Sequence, residues 1–109
     1  MVAMLEGFTL TTFTNHLHET FRLYPDAANA EQHSELVLIE ATDLGTEGQR
    51  SGSATPRREP FSIVFRGPRT PILPQRIYRV AHPEIGDFEL FLVPIGPDEQ
   101  GMRYEAVFT

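Results

Sequence analysis

Four stretches in the second half of the chain set a regularly apolar face against a mixed one at a period of two, and each is bounded by glycine or proline. FSIVFRGP sets Phe61, Ile63 and Phe65 on one face and Ser62, Val64 and Arg66 on the other, then stops at Gly67 and Pro68. QRIYRVAHP alternates Ile77 with Tyr78 and Val80. DFELFLVPI sends Phe88, Leu90 and Leu92 one way and Glu89, Phe91 and Val93 the other. MRYEAVF does the same with Met102, Tyr104, Ala106 and Phe108 against Arg103, Glu105 and Val107. A period of two places successive side chains on opposite faces of an extended chain and cannot build one face of a helix. The connections are short and turn-rich: Pro83 and Gly86 before DFELFLVPI, then GPDEQG at hairpin length. Three consecutive C-terminal strands in an antiparallel meander follow. The RTPILP connector, with two prolines, should be extended and irregular.

The first half is less regular. In LTTFTNHLHETF, Thr11 or Thr12 can cap a helix, and Phe13, Leu17 and Phe21 recur at helical spacing, which predicts two to three turns. From Thr20, Phe21 and Leu23 read as a brief strand that ends at Pro25 and Asp26, and residues 25–33 read as a loop or a weak helical turn. ELVLIEATDL is rich in β-branched and aliphatic residues, with Leu36 and Leu38 on one face and Val37, Ile39 and Ala41 on the other. Apolar residues on both faces predict a covered strand. The stretch at about 45–60 contains only glycine, serine, threonine, proline, alanine, glutamine and charge, too little apolar surface to order itself, and is expected to be a flexible loop. With 109 residues, the chain is expected to be a single mainly β domain. About six strands and one short N-terminal helix predict a small antiparallel barrel or two-layer sandwich.

Composition excludes several chemistries. There is no cysteine, so thiolate catalysis, disulfides and cysteine metal sites are ruled out. All nine basic residues are arginine, which rules out Schiff-base and phosphate-loop lysines. Residues 1–54 carry two arginines against eight acidic residues, and residues 55–109 carry seven against seven, so the net charge of −6 resides in the first half. Such a balance opposes a nucleic-acid partner, which needs a basic face. No segment approaches the roughly 18 consecutive apolar residues of a membrane span, and MVAMLEGFTL lacks the basic start of a signal peptide. A soluble, cytoplasmic protein without membrane association is expected.

No catalytic, metal or cofactor site is expected from the motifs. His16 and His18 lie about 200° apart on a helix and cannot share an ion there, and His33 and His82 stand alone in sequence. Ser51 and Ser53 fall in the 45–60 stretch, and no nucleophile-elbow motif occurs. Glu89 and Glu105, on the face opposite the main aromatic stripe, could approach one another as a carboxylate pair. More simply, they join a cross-strand network with Arg66, Arg76, Arg79 or Arg103. Tyr78 and Tyr104 are expected to place their rings in or beside the core with hydroxyls on polar partners. Candidate binding residues are therefore Arg66, Gln75, Tyr78, Glu89 and Glu105.

Three phrases stand together: FSIVFRGP, LPQRIYRVAHPEIGDFELFLVPIG and YEAVF. With FTLTTFTNHLHETFRL near the start, they resemble a small bacterial domain-of-unknown-function family that closes on the same Tyr-Glu-Ala-Val-Phe strand. One departure is His18, where the resemblance implies glycine. It implies no biochemical activity, but it suggests a role accessory to a phage-tail-like or other bacterial assembly. The expectation is a non-enzymatic binding or assembly module with a protein partner or a second copy of itself. The alternatives are a small-ligand-binding barrel using Gln75, Tyr78 and Glu105, and, more remotely, a hydrolase with paired carboxylates.

Overall fold

The computed structural model describes residues 8–25, 33–44 and 60–108. One short helix, α1 (Leu10–Thr14), precedes β1 (Thr20–Tyr24), β2 (Ser34–Asp43), β3 (Phe61–Gly67), β4 (Arg76–His82), β5 (Gly86–Pro97) and β6 (Met102–Phe108). All pairings are antiparallel, and the strands close into a barrel in the order β1-β2-β3-β6-β5-β4, with β4 returning to β1. The mainly β barrel is thus the one of the two expected architectures that forms. The expected loop at 45–60 lies outside the described residues except for Pro60, as does most of 25–33.

Alternation sets the interior. Phe21, Leu23, Leu36, Leu38, Phe61, Ile63, Phe65, Tyr78, Val80, Phe88, Leu90, Leu92, Tyr104, Ala106 and Phe108 point inward and are buried. The parity assigned to β2 from sequence fails at one point. A bulge between Leu38 and Glu40 adds a residue, so Ala41 comes opposite Ile63 and packs on the core rather than sharing a face with Val37.

Each end of the barrel is closed by a different device. At one end α1 lays Phe13, fully buried, against Phe61, Phe88 and Phe108, with Phe8 edge-on to Phe13 and Phe88. Phe61 and Phe108 stack with centroids 4.5 Å apart. At the other end two core tyrosines hold the connector between β3 and β4. The Leu73 N–H donates to the Tyr104 hydroxyl at 3.0 Å, and the Tyr78 hydroxyl donates to the Pro74 carbonyl. Burial raises the Tyr78 pKa above its ordinary value. The β5–β6 turn packs so closely on the end of β3 that a Cβ at Gly101 would run into the Gly67 carbonyl oxygen.

The helix is shorter than its spacing predicts. Thr9, not Thr11 or Thr12, is the N-cap, its N–H donating to Thr12 Oγ1 at 3.0 Å, and α1 ends at Thr14. A turn follows, and then the backbone bonds to β2. The His18 N–H donates to the Leu38 carbonyl at 2.7 Å, and the Leu38 N–H donates to the Glu19 carbonyl at 3.1 Å. Sheet pairing therefore captures the chain before a second turn is complete, which carries Phe21 into β1 and not onto a helix face. His18 adopts φ 71°, the left-handed region that glycine enters without a Cβ clash. That conformation is the physical reason for glycine to be expected there.

Two stability measurements check these points. Phe13→Ala empties the helical plug and should cost about 3–5 kcal/mol in urea denaturation. His18→Gly should stabilise by about 1 kcal/mol, because relief of the left-handed penalty outweighs the greater entropy of the unfolded glycine chain, whereas His18→Val should destabilise.

Candidate functional site

Antiparallel register decides which of the candidate residues can act together. Tyr78 points into the barrel, while Glu89 on β5 and Glu105 on β6 point out of it. Gln75 is exposed, just before β4. Tyr78 and Glu105 thus lie on opposite sides of the barrel wall and line no common cavity, and the Tyr78 hydroxyl is already engaged by Pro74. Glu105 stands opposite Val93, four residues along β5 from Glu89. That offset separates the two carboxylates by roughly 13 Å along the strand, too far for the pair to share a proton or a reacting atom.

The expected network of arginines with Glu89 and Glu105 does not form among the described residues, because each guanidinium is engaged elsewhere. Arg66 forks onto Asp98 in the β5–β6 turn, with Nε at 2.9 and 3.1 Å from the two carboxylate oxygens. Asp98 also accepts the Gln100 and Gly101 N–H groups, and the Arg66 guanidinium together with these donors holds its pKa down at about 2. Arg79 lies opposite Glu89 in register but stacks over the Tyr24 ring at 4.3 Å. Arg103 turns to the Gly96 carbonyl at 3.3 Å, and Arg76 lies 5.7 Å from the Tyr78 ring.

Three side chains that no sequence pattern links meet at the edge of the helical plug. Glu19 Oε1 lies 2.8 Å from His16 Nδ1 and 2.8 Å from His82 Nε2, and the two imidazoles have centroids 4.5 Å apart. Glu84 Oε1 lies 3.8 Å from His16 Nδ1. His16 and Glu19 are close in sequence, but Glu19 and His82 are 63 positions apart, so only barrel closure joins them. Two imidazoles and a carboxylate whose ligand atoms lie within 4.8 Å of one another have the composition of a divalent-cation site. The hydrogen bonds argue against that use. His82 Nδ1 accepts the N–H groups of Glu84 at 3.0 Å and Ile85 at 3.4 Å, so its proton resides on Nε2 and is donated to Glu19. A metal on Nε2 would force that proton onto Nδ1, against two backbone donors, where a ligating histidine needs an acceptor. The trio is therefore a carboxylate bridge between two imidazoles, and it fastens the segment after α1 to the end of β4.

Beside this bridge, an open groove of about 640 Å³ runs over β1, β4 and β5, lined among others by Arg22, Tyr24, Glu35, Ala81 and Asp87. The Arg22 guanidinium shares it with the Glu35 and Asp87 carboxylates, Glu35 being its direct cross-strand partner.

The outer face of β4, β5 and β6 is different in character. Ile77 and Phe91 are direct cross-strand partners, 62% and 50% exposed. Val107, 55% exposed, lies two residues beyond Glu105 on the same face of β6, as Phe91 lies two residues before Val93 on β5. The paired stretch of β5 and β6 ends at Val93 and Glu105, and Val107 lies beyond it, opposite Ser62 of β3. Ile95, set out by a second bulge at Gly96 with φ 114°, adds to the same side. Sequence alternation had assigned Phe91 and Val107 to the outer face but gave no sign of how exposed they are.

The Glu19 bridge has a pH consequence. Hydrogen bonds from His16 and then His82 lower the Glu19 pKa below its ordinary value of 4.5. A depressed carboxylate stabilises the fold above its unfolded pKa, and the contribution is lost as pH falls through the folded value. Glu19→Gln should therefore flatten the stability profile below about pH 5. Asp98→Asn should flatten it in the lower window, from about 4 down to about 2. Urea midpoints measured across pH 2–7 check both; an unchanged acid limb in Glu19→Gln would rule out the bridge.

A family model described as a domain of unknown function, DUF6916, matches residues 8–108, spanning α1 and all six strands. No curated protein and no solved structure matches the chain. The match extends over nearly the whole sequence and includes every segment that builds the barrel, and the chain accordingly belongs to this family.

Proposed function

We propose that the domain is a non-enzymatic binding module, accessory to a larger bacterial assembly, and that it engages a protein through the outer face of β4, β5 and β6. The observation that carries this reading is the exposed cross-strand pair of Ile77 and Phe91, with Ile95 farther along β5 and Val107 on β6 also exposed. Scattered exposed hydrophobics are ordinary, but a contiguous set across adjacent strands costs solubility unless something covers it. Of the six exposed large hydrophobics among the described residues, Ile77, Phe91, Ile95 and Val107 belong to these three strands, and Ile72 lies in the connector before them. A closed barrel offers no free sheet edge for strand addition, so a partner must dock on a face. The interior, filled by aromatic and aliphatic side chains, leaves the outer wall as the binding surface.

A photoreactive phenylalanine analogue placed at position 91 in the cells that make the protein should yield a discrete cross-linked adduct on irradiation. The same probe at Glu40, on the outer wall of β2, should yield none. Equal or absent cross-linking at the two positions would refute this use of the face.

A further inference from the structure

We propose that His82 is a proton-operated latch on the β4–β5 turn. Neutral, its ring holds residues 83–85 against the end of β4; protonated, it lets them go and frees the wall of the groove to which Pro83 contributes. The device consists of one nearly buried imidazole, two backbone donors and one carboxylate.

Both nitrogens of the His82 ring are engaged. The side chain is 5% exposed, Nε2 donates to Glu19 Oε1 at 2.8 Å, and Nδ1 accepts the N–H groups of Glu84 at 3.0 Å and Ile85 at 3.4 Å. A neutral imidazole has one accepting nitrogen, whereas the imidazolium donates from both. Rotating the ring therefore cannot restore the bonds to the turn, since either nitrogen would then bring an N–H against two N–H groups. Two backbone donors lose their acceptor together and must turn to water. The change stays local. Gly86 remains the register partner of His82 at the start of β5, and the Ile85 side chain still packs on the core.

The surroundings admit proton uptake within the fold. An imidazole enclosed by apolar groups alone resists the charged form, because burial penalises a cation, but an opposite charge in contact favours it. Glu19 supplies that charge at Nε2. His16, from the segment after α1, faces the ring with centroids 4.5 Å apart and shares the same Glu19 oxygen, and the Phe21 ring of β1 lies at 4.6 Å. The Arg22 guanidinium of β1 and the Asp87 carboxylate of β5 line the groove that His82 also lines, and the Glu84 carboxylate lies 3.8 Å from His16 Nδ1. One carboxylate oxygen serving two imidazoles couples their titrations. Of the two rings, only His82 accepts backbone N–H groups among the described residues, so its proton alone is converted into release of the turn.

Solution NMR of the isotope-labelled full chain tests the latch between about pH 8 and about pH 5, the range over which histidine ordinarily changes charge. Long-range imidazole correlations should place the His82 proton on Nε2 at the upper end. As the ring becomes charged, the Glu84 and Ile85 amide signals should move with the same midpoint and lose most of their protection against hydrogen exchange. The Leu73 amide, bonded to Tyr104 at the other end of the barrel, should keep its protection. In His82→Asn a side-chain carbonyl oxygen takes the accepting role of Nδ1 and does not titrate, so the two amides should cease to follow pH. If that variant does not fold, the parent titration decides by itself. A His82 proton on Nδ1 at the upper end, a His82 ring that does not titrate in this range, or Glu84 and Ile85 amides that stay unchanged while it titrates would each overturn the latch. So would a folded His82→Asn variant whose two amides follow pH as in the parent.

Discussion

The structure depends on β1, a five-residue strand that hydrogen-bonds on both sides. It pairs with β2 from Thr20 to Leu23 and with β4 from Arg22 to Tyr24, and these two short ladders close the barrel. Without them β2 and β4 would be open edges carrying unpaired N–H and C=O groups, a template for uncontrolled association. Phe21 and Leu23 supply the apolar side of the closure, both fully buried. The carboxylate bridge from Glu19 to His16 and His82 stands immediately before β1, where the chain passes from the helical plug into the sheet. Closure of the sheet and seating of α1 thus draw on neighbouring residues of one short segment.

Closure also decides what the interior and the outer wall present. Six strands enclose a space that phenylalanine, leucine and tyrosine fill, and the two ends are covered by α1 and by the connector that Tyr78 and Tyr104 hold. The tyrosine hydroxyls, which in a more open barrel could meet a ligand, are used to tether backbone. Chemistry at paired carboxylates fails for a related reason, since register, once set by closure, keeps Glu89 and Glu105 four residues out of step. The outer wall differs from the interior in presenting charged side chains such as Glu40 and Glu89 beside the exposed pair Ile77 and Phe91.

Much of the barrel was legible in local pattern. The inward sets Phe61–Ile63–Phe65, Phe88–Leu90–Leu92 and Tyr104–Ala106–Phe108 follow from alternation alone, because burial of one face needs nothing but period two. The tyrosine tethers were legible in kind, since a buried phenol needs a polar partner, although the partners were not. The family resemblance, and no local pattern, marked position 18 as calling for glycine, and its left-handed backbone gives the reason. The extent of α1 and the inward turn of Ala41 were not legible. Both depend on how the backbone of β2 around Leu38 and Glu40 bonds to its neighbours, and no side-chain pattern encodes that.

Side-chain partnerships divide in the same way. Arginine near a carboxylate was a sound expectation, but Arg66 took Asp98 from a turn, and Arg79 took the Tyr24 ring from β1 in place of Glu89 beside it. The Glu19–His82 contact spans 63 positions and exists because β4 meets β1. The sequence by itself determined that this chain forms antiparallel strands with one apolar face each, since alternation and turn chemistry act between near neighbours. The tertiary structure decided that the sheet closes, which charges pair, which histidines meet and which apolar side chains are left outside, because those follow from the register between strands distant in sequence.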